Sequence, residues 1–496
     1  MDIFNEVLGN GADAHVWIAL LAGVMAGMIF GALPGLSATM GVALLIPFTF
    51  DLSVMPALAL LIGVYCAAVY GGSIPAILFR TPGTPASAAT IFDGAVLAAR
   101  GEAGRALGVA ALSALVGGVI GTLLLIALTP QISRFALRFG PPEYFALAIF
   151  GLSMIVAVSQ SSLRKGLIVA VFGLLLSTVG MDPLTGYPRF IFGQVSLMEG
   201  MPFIPALIGL FAIAEVFSMI GIKNPTVSKT EKNISRFPSK SDISRCTPTI
   251  LKSSVLGTFV GATPGAGSDI AAFLGYSIAS QQARDDDQFG DGEVKGVAAP
   301  EAAKTAATSG AMIPLLSLGL PGDSVTAVLI GAFILHGVQP GPLLFQDHAG
   351  LAYSIFATIL FAHILVFIVA VSGVRLLLRV NKVDRRFLQS GILLLSLVGA
   401  FALRNNLADV WLALGFGVVG YLLRRADYPI APLLLALILG PLAEENLRRA
   451  LILSGGDYAI FIQRPITIIL LCGALASLIY GIIRQRVAPS SNPQTS

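Results

Sequence analysis

The chain has 496 residues, 55% of them hydrophobic and only 12% charged, with a mean hydropathy of +0.85 and a net charge of +4. A soluble protein carries roughly 25% charged residues, so this chain lacks the polar surface to cover itself in water, and a water-soluble enzyme is excluded as a class. Its natural solvent is a lipid bilayer.

The N-terminal stretch MDIFNEVLGNGADAH has no Lys or Arg to form the basic region of a signal peptide, so no cleaved leader is expected. Residues 1–79 contain no basic residue at all, and a tail without positive charge is expected to face outward. Residues 31–43, GALPGLSATMGVA, then interrupt an apolar run with Pro-Gly. Residues 71–87, GGSIPAILFRTPGTPAS, do so again, with Ile-Pro followed seven residues later by Pro-Gly. Apolar windows near the ~20 residues that cross ~30 Å of hydrocarbon follow at 106–128, 165–181 and 204–222. The polar interval 223–252 holds Lys223, Lys229, Lys232, Arg236, Lys240, Arg245 and Lys252 against Glu231 and Asp242. Basic loops stay on the cytoplasmic side, so this one is expected to be a cytoplasmic linker.

After the linker the breaks recur. Residues 261–273, GATPGAGSDIAAF, repeat the first break 230 residues on, Pro34 to Pro264. Residues 310–326, GAMIPLLSLGLPGDSVT, repeat the second 239 residues on, Pro75 to Pro314. The difference between the offsets matches an acidic insertion at 281–296. Further apolar windows lie at 352–371 and 465–483, and the pairs Arg385-Arg386, Arg424-Arg425 and Arg448-Arg449 flank apolar segments as topology anchors. The expected fold is an all-α polytopic membrane protein with about eleven or twelve passages, some broken or re-entrant. With its halves entering the bilayer from opposite faces, the chain forms two inverted-topology repeats. The expected divisions are a first transmembrane repeat at 1–222, the basic linker at 223–252, a second repeat at 253–445, and a C-terminal membrane helix with a polar tail at 446–496.

Pro and Gly are common in membrane helices, so one such break carries no weight, whereas four in matching order do. Pro lacks a backbone donor and Gly tolerates unusual backbone angles, which makes Pro-Gly a device for ending one half-helix and starting another. The start of each second half-helix carries free N–H groups and partial positive charge, suited to a carboxylate or phosphate. Nearby hydroxyls can bind a polar solute without a buried permanent charge: Ser37 and Thr39, then Ser73, Thr81, Thr84 and Ser87, then Ser268, then Ser324 and Thr326.

Charges within apolar runs are costly and face a protein interior or wet cavity. Arg80 reads as the partner of a substrate carboxylate, or else as an interfacial anchor or the partner of an acid of the protein. Asp269 and Asp323, each just after a break, are candidates for a coupling cation or proton, or for caps of their own half-helices. Glu215 and His363 read as proton relays or as members of interhelical hydrogen bonds. GATPGAGSD lacks the Lys of a P-loop, and His15, His336, His348 and His363 have no zinc-ligand spacing. Cys66, Cys246 and Cys472 suggest neither a disulfide framework nor a metal quartet. A membrane-embedded serine protease would need a base beside Ser268, and none is visible. Transport driven by an ion gradient or by another subunit is the remaining class, with a stand-alone exchanger of another small solute as its variant.

GALPGL, YGGSIPAILFRTPGTPASAATIFDG (70–94), GATPGAGSD, GVAAPEAA (296–303) and IPLLSLGLPGDSVTAVLIGAFILHGVQPGPLLF (313–345) together resemble the large membrane subunit of the tripartite tricarboxylate transporters, the TctA family. The resemblance spans roughly residues 15–440. It implies a non-enzymatic permease of the bacterial inner membrane that imports a citrate-like carboxylate, driven by Na⁺ or H⁺ and without a cofactor. It also implies a small four-helix membrane subunit and a periplasmic solute-binding protein as partners, a lipid bilayer as surroundings, and no nucleic acid. Carried onto this sequence, it puts substrate contacts at Pro34, Gly35, Ser37, Ser73, Arg80, Thr81, Gly83, Thr84, Gly265, Gly267, Ser268, Gly322 and Ser324. Asp269 and Asp323 then serve the coupling ion. Arg80, Ser37, Lys304-Thr305 and Asp323 depart from the usual family pattern, which makes Arg80, Lys304 and Asp323 the residues that bear on specificity.

Overall fold

In the computed structural model the apolar runs fold as helices, and the chain is an all-α polytopic membrane protein, the described residues adding one two-stranded hairpin. The structure describes residue 9 and residues 13–33, 35–158, 163–182, 184–220, 238–284, 286–380 and 385–487. Pro34 and the linker residues Lys223, Lys229, Lys232 and Arg236 lie outside the described residues. Six described helices are long and apolar enough to cross a bilayer, at Ala14–Ala32, Val54–Phe79, Ala103–Ala136, Ala349–Gly373, Leu407–Arg425 and Pro465–Ile483. Shorter apolar helices stand at Ala38–Thr49, Phe203–Met219, Ser324–Leu335 and Phe387–Ala402.

The chain divides into two compact units, one of residues 1–137 and 204–421, the other of residues 138–203 and 422–496. In the first, α1 (Ala14–Ala32) and α2 (Ala38–Leu45) flank the first break. Then α3 (Val54–Gly71) and α4 (Ser73–Phe79) lead to the second break, and α5 (Ile91–Ala99) and α6 (Ala103–Ala136) follow it.

The second unit holds α7 (Pro141–Val158) and α8 (Leu163–Ser177), joined by a small hairpin of β1 (Gly180–Met181) and β2 (Pro188–Arg189) to the rest of the chain. The first unit resumes with the helical segment Phe203–Met219, which contains a π-helical stretch at Ile208–Ile213. Then come α9 (Lys240–Ala262), α10 (Gly267–Gln281), α11 (Val294–Leu318) and α12 (Ser324–Leu335). It ends with α13 (Ala349–Val380), α14 (Arg385–Ala402) and α15 (Leu407–Arg425), the last turn of α15 belonging to the second unit. There α16 (Ala431–Leu453) packs on α7 and α8, and α17 (Pro465–Val487) packs on α7.

Small residues set the helix contacts, as expected where lipid offers no hydrophobic drive for helices to associate. In the first unit a Cβ added at Gly23, Gly27 or Gly31 of α1 would fall 2.0, 2.4 or 2.3 Å from the carbonyl oxygens of Leu60, Val64 and Ala68 on α3. Gly257 and Gly261 of α9 meet the carbonyls of Ala303 and Ala307 on α11 in the same way, at 2.1 and 2.2 Å. Shifted by 230 residues, Gly27 and Gly31 become Gly257 and Gly261; shifted by 239, Val64 and Ala68 become Ala303 and Ala307. The repeated sequence therefore builds the same helix pair twice.

The breaks repeat as well. α1 ends at Ala32 and α9 at Ala262, each followed by an extended residue, Leu33 (ψ 113°) and Thr263 (ψ 116°). Each then reaches a glycine with positive φ, Gly35 (95°) and Gly265 (86°). At the second pair, α4 and α11 end in left-handed residues, Arg80 (φ 53°) and Gly319 (φ 72°). Beyond them Thr81 N–H donates to Pro75 O at 3.4 Å and Leu320 N–H to Pro314 O at 3.2 Å. These four Pro-Gly breaks each separate helices, in keeping with the missing donor and free backbone of that dipeptide.

The second unit is held by ion pairs at its polar ends. Asp182 turns the hairpin by accepting from the N–H groups of Leu184 (2.9 Å) and Thr185 (3.0 Å) and pairs with Arg448 at 2.6 Å. Arg189 pairs with Glu444 at 2.6 Å, and Glu143 accepts from Arg464 and Thr467.

Candidate functional site

All four breaks belong to the first unit, and they touch. A Cβ on Gly83 would lie 2.0 Å from Gly31 O, so the second break sits on the end of α1, and Gly83 N–H donates to Gly72 O at 3.1 Å. In the other half Gly265 N–H donates to Gly322 O at 2.7 Å, and the Cα of Gly267 comes close enough that a Cβ would lie 3.0 Å from Asp323 Cβ. The halves then exchange elements: α2 packs against α12, and α10 packs against the 3₁₀ turn Pro85–Ser87 that follows the second break.

Two side chains make the same exchange. Lys304, on α11, reaches into the first half and donates to Ser73 Oγ and, at 2.9 Å, to Ser87 Oγ. Tyr65, on α3, reaches into the second half, its hydroxyl donating to Asp323 Oδ2 at 2.6 Å. Positions 65 and 304 are 239 residues apart, so they correspond under the repeat. Lys304 also pairs with Glu301 Oε1 at 2.8 Å, one turn earlier on α11, and both side chains are completely buried. Glu301 Oε1 accepts from Ser73 Oγ (2.7 Å) and Thr90 Oγ1 (2.6 Å) as well, while Glu301 Oε2 has no hydrogen-bond partner.

A family model matches residues 17–435 of this chain, and its description is the tripartite tricarboxylate transporter TctA family. The chain belongs to that family. This TctA-family chain is also 38% identical over 468 residues to an uncharacterized 52.8 kDa protein in the TAR-I ttuC' 3' region of Agrobacterium vitis, covering 94% of the chain and 93% of that relative. A second protein of Agrobacterium vitis, uncharacterized and in the TAR-II ttuC' 3' region, is 37% identical over 227 residues, 46% of the chain and 94% of that relative. No solved structure matches the chain.

The expected site residues of the TctA-family chain fall into two layers. Gly35, Arg80 and Thr81 are exposed, and Ser37, Gly265, Asp269, Asp323 and Ser324 are half-buried. Ser73, Gly83, Thr84, Gly267, Ser268 and Gly322 are buried. Ser37 caps α2, accepting from Met40 N–H at 3.1 Å. Asp323 caps α12 through a reciprocal pair of bonds with Thr326, one of its two sequence readings, whereas Asp269 lies in the first turn of α10 without capping it. Thr84 Oγ1 lies 3.2 Å from Ser87 Oγ. Beside the first break a Cβ on Gly35 would stand 3.8 Å from Glu215 Oε1. His363 is buried, with Nε2 3.2 Å from Ser309 Oγ, which lies 3.1 Å from Thr122 Oγ1, so it takes part in an interhelical contact, one of its two sequence readings.

Glu301, Tyr65 and Thr90 were not legible as site residues. The one available signal was a Glu and a Lys at i, i+3 inside GVAAPEAAKTAATSGAMIP, two opposite charges facing the same side of a helix. Among the described residues no group of three or more His, Cys, Asp or Glu is placed to hold a metal ion.

Away from the breaks, a cavity of about 600 Å³ opens between α9 and α10, lined by Arg245, Lys252, Arg284, Asp287 and Lys295 among others. Asp287 is its organising carboxylate. Burial would raise its pKa, but the N–H of Arg284, the ammonium of Lys295 (2.8 Å) and the guanidinium of Arg245 (2.6 Å) hold it well below the usual carboxylate range.

Proposed function

We propose that this chain is the large membrane subunit of a secondary active importer of a tricarboxylate or related citrate-like carboxylate across the bacterial inner membrane. It receives the solute from a periplasmic solute-binding protein, works with a small four-helix membrane subunit, and draws on a Na⁺ or H⁺ gradient. The repeats at 1–222 and 253–445 are inverted in the bilayer, and one moves against the other around the breaks.

The observation that carries this reading is the convergence of four Pro-Gly breaks on one place, with glycine backbone and hydroxyls at their edges. Half-helix starts there offer N–H donors and partial positive charge to a carboxylate, and unwound backbone is tolerated at membrane depth only where it is buried or lines a wet cavity. Gly35, Ser37, Arg80, Thr81, Gly265 and Ser324 form the accessible layer for the solute. Ser73, Gly83, Thr84, Gly267, Ser268 and Gly322 support it, Pro34 is a further solute contact, and Asp269 and Asp323 serve the coupling ion.

The test is uptake of labelled citrate into vesicles holding this chain and its small partner, with and without the binding protein and with and without a Na⁺ gradient. Uptake that needs both is expected, with H⁺ taking the place of Na⁺ if a pH gradient alone suffices. Arg80→Gly removes the guanidinium while favouring the left-handed backbone already present at that position. A loss of uptake of at least about tenfold in R80G, the equivalent of ~1.4 kcal/mol, therefore reads the charge. Unchanged uptake in both R80G and Ser268→Ala would remove the breaks from the solute path, and uptake independent of any binding protein would remove that partner.

A further inference from the structure

Among the described residues Lys304 is the one fully buried lysine, and its surroundings are those of a bound cation. Its ammonium has three protons, and three oxygens receive them: Ser73 Oγ, Ser87 Oγ at 2.9 Å and Glu301 Oε1 at 2.8 Å. A carboxylate and two hydroxyls are hard oxygen ligands of the kind that hold small metal cations. The cradle offers more oxygen than the ammonium uses. Glu301 Oε2 is buried and has no hydrogen-bond partner.

A brace between the two halves does not call for charge. Burying an ion pair costs several kcal/mol per ion before attraction returns any of it, and an apolar pair of similar volume is often as stable. The corresponding crossing in the other half is made by an uncharged phenol, Tyr65. The carboxylate and hydroxyls at positions 301, 73 and 87 thus come from both halves of the repeat and close around one positive charge.

We propose that the Lys304 ammonium is a built-in cation, filling from within the chain a position whose oxygens would otherwise take a free monovalent cation. The two halves are held together there without an ion from solution, so Na⁺ is not required at this position whatever ion drives the transport cycle. The inference rests on the transporter reading only for its consequence for coupling. The cradle itself can be tested without any solute.

The experiment is thermal unfolding of the purified full chain in detergent, titrated with NaCl, methylammonium chloride or choline chloride, for wild type, Lys304→Ala, Lys304→Ser and the double variant E301Q/K304A. A cation binding only the folded state raises Tm saturably. K304A is expected to melt below wild type and to gain about 2–4 °C in Na⁺ or methylammonium beyond the wild-type response. Choline, too large for the cradle, gives no such gain. E301Q/K304A, lacking the carboxylate charge, is expected to lose the excess response, while ²²Na⁺ binding to K304A exceeds wild type by one ion per chain.

K304S carries the test if K304A does not accumulate. Equal cation responses in wild type and both single variants, or an excess that survives in E301Q/K304A, would overturn the proposal. So would failure of both single variants to accumulate in every cation tried, since a cradle able to take a free cation would be refilled. Citrate uptake plays no part in these readings, so failure of the import reading leaves them standing, and their failure leaves it standing.

Discussion

Asp287 shows how one carboxylate can organise a basic face. Arg245, Lys295 and the Arg284 N–H converge on it, and Arg245 pairs with Glu293 as well, at 3.0 Å. Its folded-state pKa lies below the unfolded value of ~3.9. A depressed carboxylate contributes stability that is fully present above the unfolded pKa and is lost as pH falls through the folded one. Asp287→Asn should therefore melt below wild type near pH 7. The gap should hold down to about pH 4 and narrow at lower pH. Melting curves of the two proteins across that range check the sign, and a gap that widens on acidification would contradict it. At the breaks, residue-scale chemistry works differently. Asp323 has its capping role and its Tyr65 partner at once, so its carboxylate is held by N–H and O–H donors.

At the scale of elements, α3 and α11 are the two central helices of the first unit, each pressed on by a glycine-bearing neighbour. α11 is buried along almost its whole length, including Glu301, Lys304, Thr305, Thr308 and Ser309. Its solvent is other helices, which is why it can carry polar groups that a lipid-facing helix cannot. The contacts with α1 and α9 allow no Cβ: at Gly27 and Gly257 one would come within 2.4 and 2.1 Å of a backbone oxygen. Gly27→Ala and Gly257→Ala should each force their helix pair apart at a cost of about 1–3 kcal/mol. Gly415→Ala, on α15 with nothing within 4 Å of the added carbon, should be neutral or stabilising by up to ~1 kcal/mol. Tm values of the three purified variants decide this. The repeat makes the sharper demand, that G27A and G257A behave alike.

For the whole molecule, the two halves share helix ends, left-handed caps and glycine contacts at fixed offsets, and each half lends elements to the other's breaks. If the halves are inverted in the bilayer, cysteines introduced near positions 5 and 235 will react with an impermeant thiol reagent from opposite faces. The background is Cys472→Ser, since Cys472 is exposed while Cys66 and Cys246 are buried. Reaction of both from the same face would replace inversion with a parallel duplication. The uptake experiment belongs to this scale too, because a solute path through the breaks needs both halves.

What the sequence determined by itself is whatever depends on local chemistry. Low charge and repeated apolar runs demand a bilayer, a Pro-Gly pair ends a helix wherever it falls, and two constant offsets reveal the duplication. Gly35 and Gly265, or Arg80 and Gly319, adopt matching angles because the same short motif surrounds each. Ser73 and Thr84 also stood out, as hydroxyls near a break, but their burial did not. The tertiary structure alone decided which polar groups meet. Lys304 lies 231 residues from Ser73 and 217 from Ser87, and Tyr65 lies 258 from Asp323. A buried polar group must find its partner on whichever helix packs beside it, and helix packing in a bilayer is set by backbone closeness at small residues, for which the chain offers 54 glycines. Until the folded helices choose among them, the charge at 304 has no address.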